Sequence, residues 1–475
     1  MTQKSLFFGL FFAVCLFLTA STLQAGPSQN EDENSRAFDS FSIFREGRGR
    51  NMLTGGLGIS IFDNQVYYNI YFAPELVFGK VGVGIDLNFR IDEDGHLRKE
   101  DWNDGASSYL RLIRYVRYGN KHDSLYARVG QIDAARLGHG SIMYLYRNNA
   151  SYDTRKIGLE FDLDFADFGF ESMTSDLTSF DIVGIRSYVR PLRKTNWPIL
   201  GGLEIGLTYA GDFRNNTNLI ATPQSLYPKF VDGQQVFNPA LGHAKGSLNI
   251  WGIDLGVPLV RLPMLDVDAY TDFVKIAGYG SGGLFGVSAT LKNLEPFLTL
   301  SARLEHRIVG DQFQFSYFDP LYEQDRFSEE LLKGDTSYVR TRVNELVNYT
   351  SPGPGIYADL GASVLNTVHL FGSYQRLYRT ERGGQLHLGA RFENTGASVL
   401  LRADYYKRDI GAESDVFTLD DRSLSVIEFG YYPQPYLLLS IVYQWTYLPV
   451  RKDGDVIGYD PIRRVEPRVS IHFEL

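Results

Sequence analysis

Apolar and polar residues alternate at period two along most of this chain. From Val81 to Ile91 one parity reads Val81, Val83, Ile85, Leu87, Phe89 and Ile91, while the other reads Gly82, Gly84, Asp86, Asn88 and Arg90. Side chains of an extended strand point alternately to opposite faces, so each such run is a strand with one apolar and one polar side. Twenty runs follow this pattern: 57–61, 66–78, 81–91, 109–118, 125–129, 157–163, 168–173, 183–189, 203–209, 251–259, 265–273, 285–291, 298–304, 356–362, 368–374, 386–392, 399–405, 425–431, 436–445 and 465–475. The expected fold is all-β, an antiparallel up-and-down barrel of about 18–20 strands spanning residues 51–475.

The amino end sets the compartment. Lys4 precedes an apolar run from Leu6 to Leu18, followed by small and polar residues up to Ala25. This pattern predicts a secretory signal peptide over 1–25. The run falls short of the ~20 residues that a spanning helix needs, and no later segment supplies one, so membrane residence rests on strands. Cys15, the single cysteine, lies inside the signal. The reading for 26–50 is a flexible periplasmic leader or small plug, because 26–36 (GPSQNEDENSR) has nothing to bury. The formal charge is −9, and −10 once Lys4 is removed. That balance argues against nucleic acid as a partner. The aromatic share of 14% suits rings gathered at two membrane interfaces.

Connection lengths alternate. Tight links are expected at 79–80, 165–167, 258–263, 293–296, 364–366, 394–396 and 433–435, and long polar links at 92–106, 132–156, 212–246, 308–355, 409–422 and 449–463. That asymmetry matches short periplasmic turns and long external loops. The final run alternates Val465, Pro467, Val469, Ile471, Phe473 and Leu475 with Arg464, Glu466, Arg468, Ser470, His472 and Glu474. It resembles the closing strand of an outer-membrane barrel, which implies the barrel-assembly machinery as a partner, although its aromatic residue sits two positions before the end. A secreted soluble sandwich or propeller fits less well, since no blade-length repeat occurs.

With the apolar parity facing outer-membrane lipid, the opposite parity places Asp86, Arg90, Arg111, Arg128, Glu160, Asp162, Asp268, Arg303, Glu305, Arg391, Arg402 and Asp404 inside. The same parity adds Glu75, Glu171, Arg186, Glu204, Asp254, Asp266, Asp272, Asp359 and Glu393. Charges of both signs are costly in hydrocarbon, so the enclosed space is expected to be wet. A barrel of twenty strands is also too wide for side chains alone to fill, so loops plug it or it conducts.

In this architecture the chain resembles the bacterial porins and porin-like outer-membrane proteins. The resemblance covers the mature chain but rests on no short motif. It implies a channel for passive diffusion of small polar or charged solutes, without cofactor, metal or covalent chemistry, in the outer membrane of a Gram-negative type envelope. In porins the third external loop folds into the lumen as a constriction. The corresponding segment here is 132–156, containing Leu137-Gly138-His139-Gly140 together with Asp133, Arg136 and Arg147. The other placement is a cap outside the barrel. The insertion 308–355 has helix-compatible stretches within 321–347 and folds as a lid, a plug or a surface loop. Acids outnumber bases by fourteen to seven in the polar-parity residues, which points to a weak cation preference. The alternative function is a non-conducting scaffold or adhesion protein.

Other chemistry is weaker. His139 and Ser141 are spaced like the catalytic pair of outer-membrane phospholipases, but spacing alone specifies no nucleophile, and no enzyme activity is expected. Asp92-Glu93-Asp94-Gly95 lacks the later oxygen ligands of a calcium loop. The glycine-rich 278–283 has no following lysine and reads as a strand connection. An energised receptor needs a long amino-terminal plug domain, whereas strands begin near Leu57. One strand fits badly: Arg114 falls on the lipid-facing parity of 109–118, so a bulge, a reversed parity or an interfacial position is required.

Overall fold

The computed structural model describes residues 51–474 apart from 63–64, 100–101, 103–111, 122, 150–155, 196, 214–227, 232–233, 238–246, 295–296, 333–335, 344–345, 347–351, 366, 382, 395–397 and 453–454. The expected signal and leader, 1–50, and Arg111 lie outside the described residues. In chain order the strands are β1 (Met52–Phe62), β2 (Gln65–Phe72), β3 (Glu75–Phe78), β4 (Val81–Ile85), β5 (Leu87–Ile91), β6 (Ile113–Tyr118), β7 (Leu125–Gly130), β8 (Gly158–Asp164) and β9 (Phe168–Thr174). Next come β10 (Ile182–Val189), β11 (Glu204–Asp212), β12 (Pro228–Val231), β13 (Gln234–Phe237), β14 (Leu248–Arg261), β15 (Leu265–Ile276), β16 (Ser281–Leu294), β17 (Leu298–Val309), β18 (Phe327–Leu332) and β19 (Thr336–Thr341). The series ends with β20 (Gly353–Val364), β21 (Val368–Leu377), β22 (Gly384–Asn394), β23 (Val399–Ile410), β24 (Ser423–Gln434), β25 (Leu437–Lys452) and β26 (Asp455–Glu474).

All but two small hairpins, β12–β13 and β18–β19, belong to one 22-stranded sheet. Within it β2 and β3 keep one register against β1, and β4 and β5 keep one register against β2 and β3. Each pair is therefore a single stave, the first broken at Ala73 and Pro74, where proline cannot donate to the ladder. The sheet thus has twenty staves, each antiparallel to the next, and each coincides with one of the twenty alternating runs. The circuit completes where β26 returns to β1, from Met52↔Glu474 to Gly58↔Arg468. At this join Gly56 approaches its partner so closely that a Cβ would lie 1.9 Å from the Val469 carbonyl oxygen.

The faces follow the alternation. Along β17, Arg303, Glu305 and Arg307 are buried while Leu304 and Ile308, on the opposite parity, are each 59% exposed. Along β10, Arg186 and Tyr188 are buried while Ile185 and Val189 are exposed. Apolar residues outside and charged residues inside reverse the order of a water-soluble domain, and hydrocarbon is the surrounding that suits it. No helix among the described residues is long and apolar enough to cross a membrane.

Arg114 resolves as a bulge. Gly84 pairs with Tyr115 and Ile85 with Ile113, which leaves Arg114 as the extra residue. Its guanidinium donates to Glu75 Oε2 at 2.9 Å, and Ile113 and Val116 on either side both stay outward. Two connections depart from expectation. The long loop expected over 449–463 is instead strand, because β25 and β26 run on as a hairpin through 452 and from 455. At the opposite, short-turn end, Arg190 to Leu203 forms a long link with a 3-10 turn at Leu200–Gly202.

Candidate functional site in the lumen

The third external loop lies within the barrel. Its neck is closed by Asn148, whose Oδ1 accepts from the Ile132 amide at 2.8 Å and whose Nδ2 donates to the Ser175 carbonyl at 3.0 Å. Ala135 and Tyr146 then pair across the loop. The tip turns at Gly138 (φ 51°) and Gly140 (φ 91°), a conformation that glycine adopts without strain. A Cβ on Gly138 would also lie 2.8 Å from Arg186 Nε, so the glycine lets the tip meet the wall. Residues 140–146 are all buried.

Polar wall residues hold the loop at several points. The Gly138 amide donates to Glu171 Oε2 at 2.8 Å. His139 Nδ1 lies 2.7 Å from Asp272 Oδ1, and its ring stacks on Tyr270 with centroids 4.1 Å apart. Arg303 donates to the His139 carbonyl at 2.6 Å and to Asp359 Oδ2 at 2.7 Å. Across the lumen Arg147 pairs with Asp404, which also meets His387 Nε2 at 2.6 Å. At the neck Arg128 pairs with Asp133 at 2.6 Å, and Arg136 donates to the Gly138 carbonyl at 2.8 Å.

The insertion after β17 is a second inserted loop, bonded to the first through the main chain. The Ser316 amide donates to the Ser141 carbonyl at 2.8 Å, and the Tyr144 amide donates to the Phe318 carbonyl at 3.0 Å. Phe313, Phe315, Tyr317 and Phe318 join Leu137, Ile142, Met143 and Tyr146 in one apolar cluster inside the barrel. A helical turn, Tyr322–Asp325, is anchored by Tyr322 donating to Asp212 at 2.7 Å, and just beyond it Arg326 donates to Asp181 at 3.1 Å. Lys156 meets Glu323 at 2.7 Å, Arg342 binds Asp319 through both terminal nitrogens, and Arg408 meets Asp325 at 2.7 Å. Burial together with Glu323 and Asp212 pushes the Tyr146 and Tyr322 hydroxyls far above their ordinary range, so both remain neutral donors.

The sequence-predicted residues fall in three places. Arg128, Asp133, Arg136, Arg147, Arg303, Glu305 and Asp404 converge on the inserted loops. Glu160 and Asp162 are buried on β8 around Lys121, and Arg90 is buried on β5. Asp86 is half-buried at the break between β4 and β5. Asp268, Arg391 and Arg402 lie apart from the loops, toward the short-turn end. There Asp268 pairs with Arg261 with its side chain 38% exposed, Arg391 stands opposite Arg402, and Arg402 is 35% exposed beside Glu428. Among these residues the wall is thus packed toward its long-loop end and more solvent-accessible toward the other. Sequence reasoning missed the aromatic run Phe313 to Phe318, whose signal was a concentration of rings in an otherwise polar insertion. It also missed Arg307, Arg326 and Arg342. Ser141 is buried between the loops, and the His139 imidazole is engaged by Asp272.

These features define the class: an all-β transmembrane barrel of the bacterial outer-membrane type, with two loops folded into its lumen. No family model and no curated protein matches the chain. Among solved structures it is similar to the siderophore receptor PirA from Acinetobacter baumannii, at 9% identity over 90% of this chain and 81% of that one, with a TM-score of 0.35. OccAB2 from the same organism is 10% identical over 90% and 100%, at 0.27. OmpT of Vibrio cholerae is 8% identical over 90% and 99%, also at 0.27. Likenesses at this level concern strand architecture alone.

Proposed function

We propose that the chain is an outer-membrane channel for passive diffusion of small polar solutes, narrowed by its two inserted loops. The observation that supports this most is the inner wall. Buried charges run along it, and at its short-turn end Asp268 and Arg402 remain water-accessible inside an apolar cylinder. A wall serving only to present loops needs no such lining. The test is leakage: purified protein in liposomes releases small sugars, and protein-free vesicles do not. The packing of both loops across the lumen favours the second reading, a non-conducting scaffold, and vesicles that retain every sugar would establish it.

The loops are the expected barrier. Val309 and Gly353 are paired neighbours in the ladder, so an Asn-Gly turn can replace residues 310–352 without moving a stave. That deletion is expected to raise single-channel conductance in planar bilayers several-fold. Unchanged conductance would mean that the second loop does not obstruct the path.

A further inference from the structure

We propose that solutes cross along the seam between the inserted loops and the inner faces of β20–β23, and that this seam favours small uncharged hydroxylated solutes, polyols and sugars, over ions. The proposal rests on the channel reading.

The first observation is an asymmetry in how the loops are held. Toward β9–β11 and β14–β17 they share the large apolar cluster, to which the wall contributes Met173, Ile182, Ile250, Val274, Leu284 and Val309. Toward β20–β24 the contact is largely polar: Tyr144 donates to Asp359, Arg147 pairs with Asp404, Tyr406 donates to Asp319 and Arg408 pairs with Asp325. On that side the apolar contact is limited to two small clusters and to Leu377 of β21, a member of the large one. Parting an apolar face exposes hydrocarbon surface to water, whereas polar groups exchange their partners for water at little net cost. The loops therefore separate more readily from β20–β23.

A second observation marks the same place. A cavity of about 20 Å³, room for about one water, lies in this seam between Tyr144, Tyr357, Tyr406, Ser373, Gln385 and His387. The hydroxyls and amide are neutral, and the carboxylate beside them, Asp319, is already bound by Arg342 through two bonds of 2.9 and 2.8 Å. An ion entering here gives up hydration without gaining a free counter-charge. A polyol finds donors, acceptors and aromatic faces.

Cys15, the only cysteine, lies in the expected signal, so single thiols can be placed in the barrel. Ser373→Cys puts one in the seam, and Ser175→Cys puts one on the apolar side, where Ser175 is fully buried. Wild-type and variant proteins in liposomes are assayed by swelling in arabinose and by KCl flux, before and after a bulky neutral maleimide. The expected result is that wild-type vesicles admit arabinose faster than KCl. Labelled Ser373→Cys loses swelling several-fold, while Ser175→Cys stays unlabelled and unchanged. Failure of Ser373→Cys to label, full swelling after labelling, or an equal loss in Ser175→Cys overturns the path. Faster KCl than arabinose overturns the solute class. Wild-type vesicles closed to both overturn the channel reading, and the seam with it.

Discussion

Arg303 joins three parts of the molecule through one guanidinium. It pairs with Asp359 on β20, donates to the His139 carbonyl on the third loop, and lies over the rings of Tyr144 and Tyr357 at 4.7 and 5.0 Å. Glu305 also stands 3.5 Å away. Replacing it with methionine keeps much of the volume but takes the arginine away from buried Asp359, while Glu305 keeps Arg307, a loss of ~3–5 kcal/mol for a broken buried pair. Arg303→Met should lower the heating temperature at which the detergent-folded barrel unfolds on a gel. Arg303→Lys should recover only part of that loss, because a single ammonium cannot serve a carboxylate, a carbonyl and two rings together. Wild-type behaviour in both variants would show that the loop does not depend on this residue.

At the scale of elements, the staves were legible because period-two patterning is a local signal that burial on one face enforces. Each of the twenty runs is a stave, usually longer in the structure than its apolar core. The stretch 449–463 misled because a stave that extends beyond the apolar band carries no lipid-facing pattern to read. The placement of the loops was not legible. Contacts such as Tyr144 with Phe318 join segments far apart in sequence, and no periodicity records them. The Gly138 and Gly140 pair marked the turn of the third loop, but only the fold shows Arg186 pressed against it. The anchor of the second loop leads to a pH prediction. Burial alone would raise the Asp181 carboxyl, but Lys156 and Arg326 more than offset it and hold it below its ordinary value of 3.8. Burial alone would lower the Lys156 ammonium, but Glu323 outweighs it and holds it above 10.5. A depressed acid stabilises the anchor above its unfolded pKa and loses that contribution as pH falls through the folded one. A raised base stabilises it below its unfolded pKa and loses that as pH rises through the folded one. Hydrogen exchange of 313–326, corrected for intrinsic rates, should therefore be flat from about pH 5 to 9 and rise outside that window. A change in protection inside the window would show that other groups control the anchor.

For the whole molecule, charge is the property that the packing revises. The polar-parity residues of the wall number fourteen acids and seven bases, which on their own predict a weak cation preference. With the loops in place, twelve carboxylates and twelve arginine or lysine side chains are buried among the described residues. The balance comes from bases outside the polar-parity set, among them Arg326 and Arg342 on the second loop and Arg307, Lys407, Arg408 and Arg464 on the wall, and from acids of that set that are not buried, such as Asp86, Glu204 and Asp268. Opposite charges held within a few ångströms act on a passing ion as short dipoles, and screening over ~8–10 Å in physiological salt removes most of what remains. Selection by size and hydrogen bonding is then expected to dominate selection by sign. Under a KCl gradient the reversal potential of the wild-type channel should lie close to zero, and a strong preference for either ion would refute this balance. The sharper comparison is Arg186→Gln. Arg186 serves Glu171, Glu204 and Asp254 at 3.2, 2.7 and 2.6 Å, with Arg190 sharing only Glu204. Removing its charge leaves an acidic excess beside the tip of the third loop, where the lumen is narrowed. Because the proposed path follows β20–β23 and not β10, the reversal potential of this variant should stay close to zero, and a shift to the cation-selective side would place the ion path beside the tip of the third loop instead.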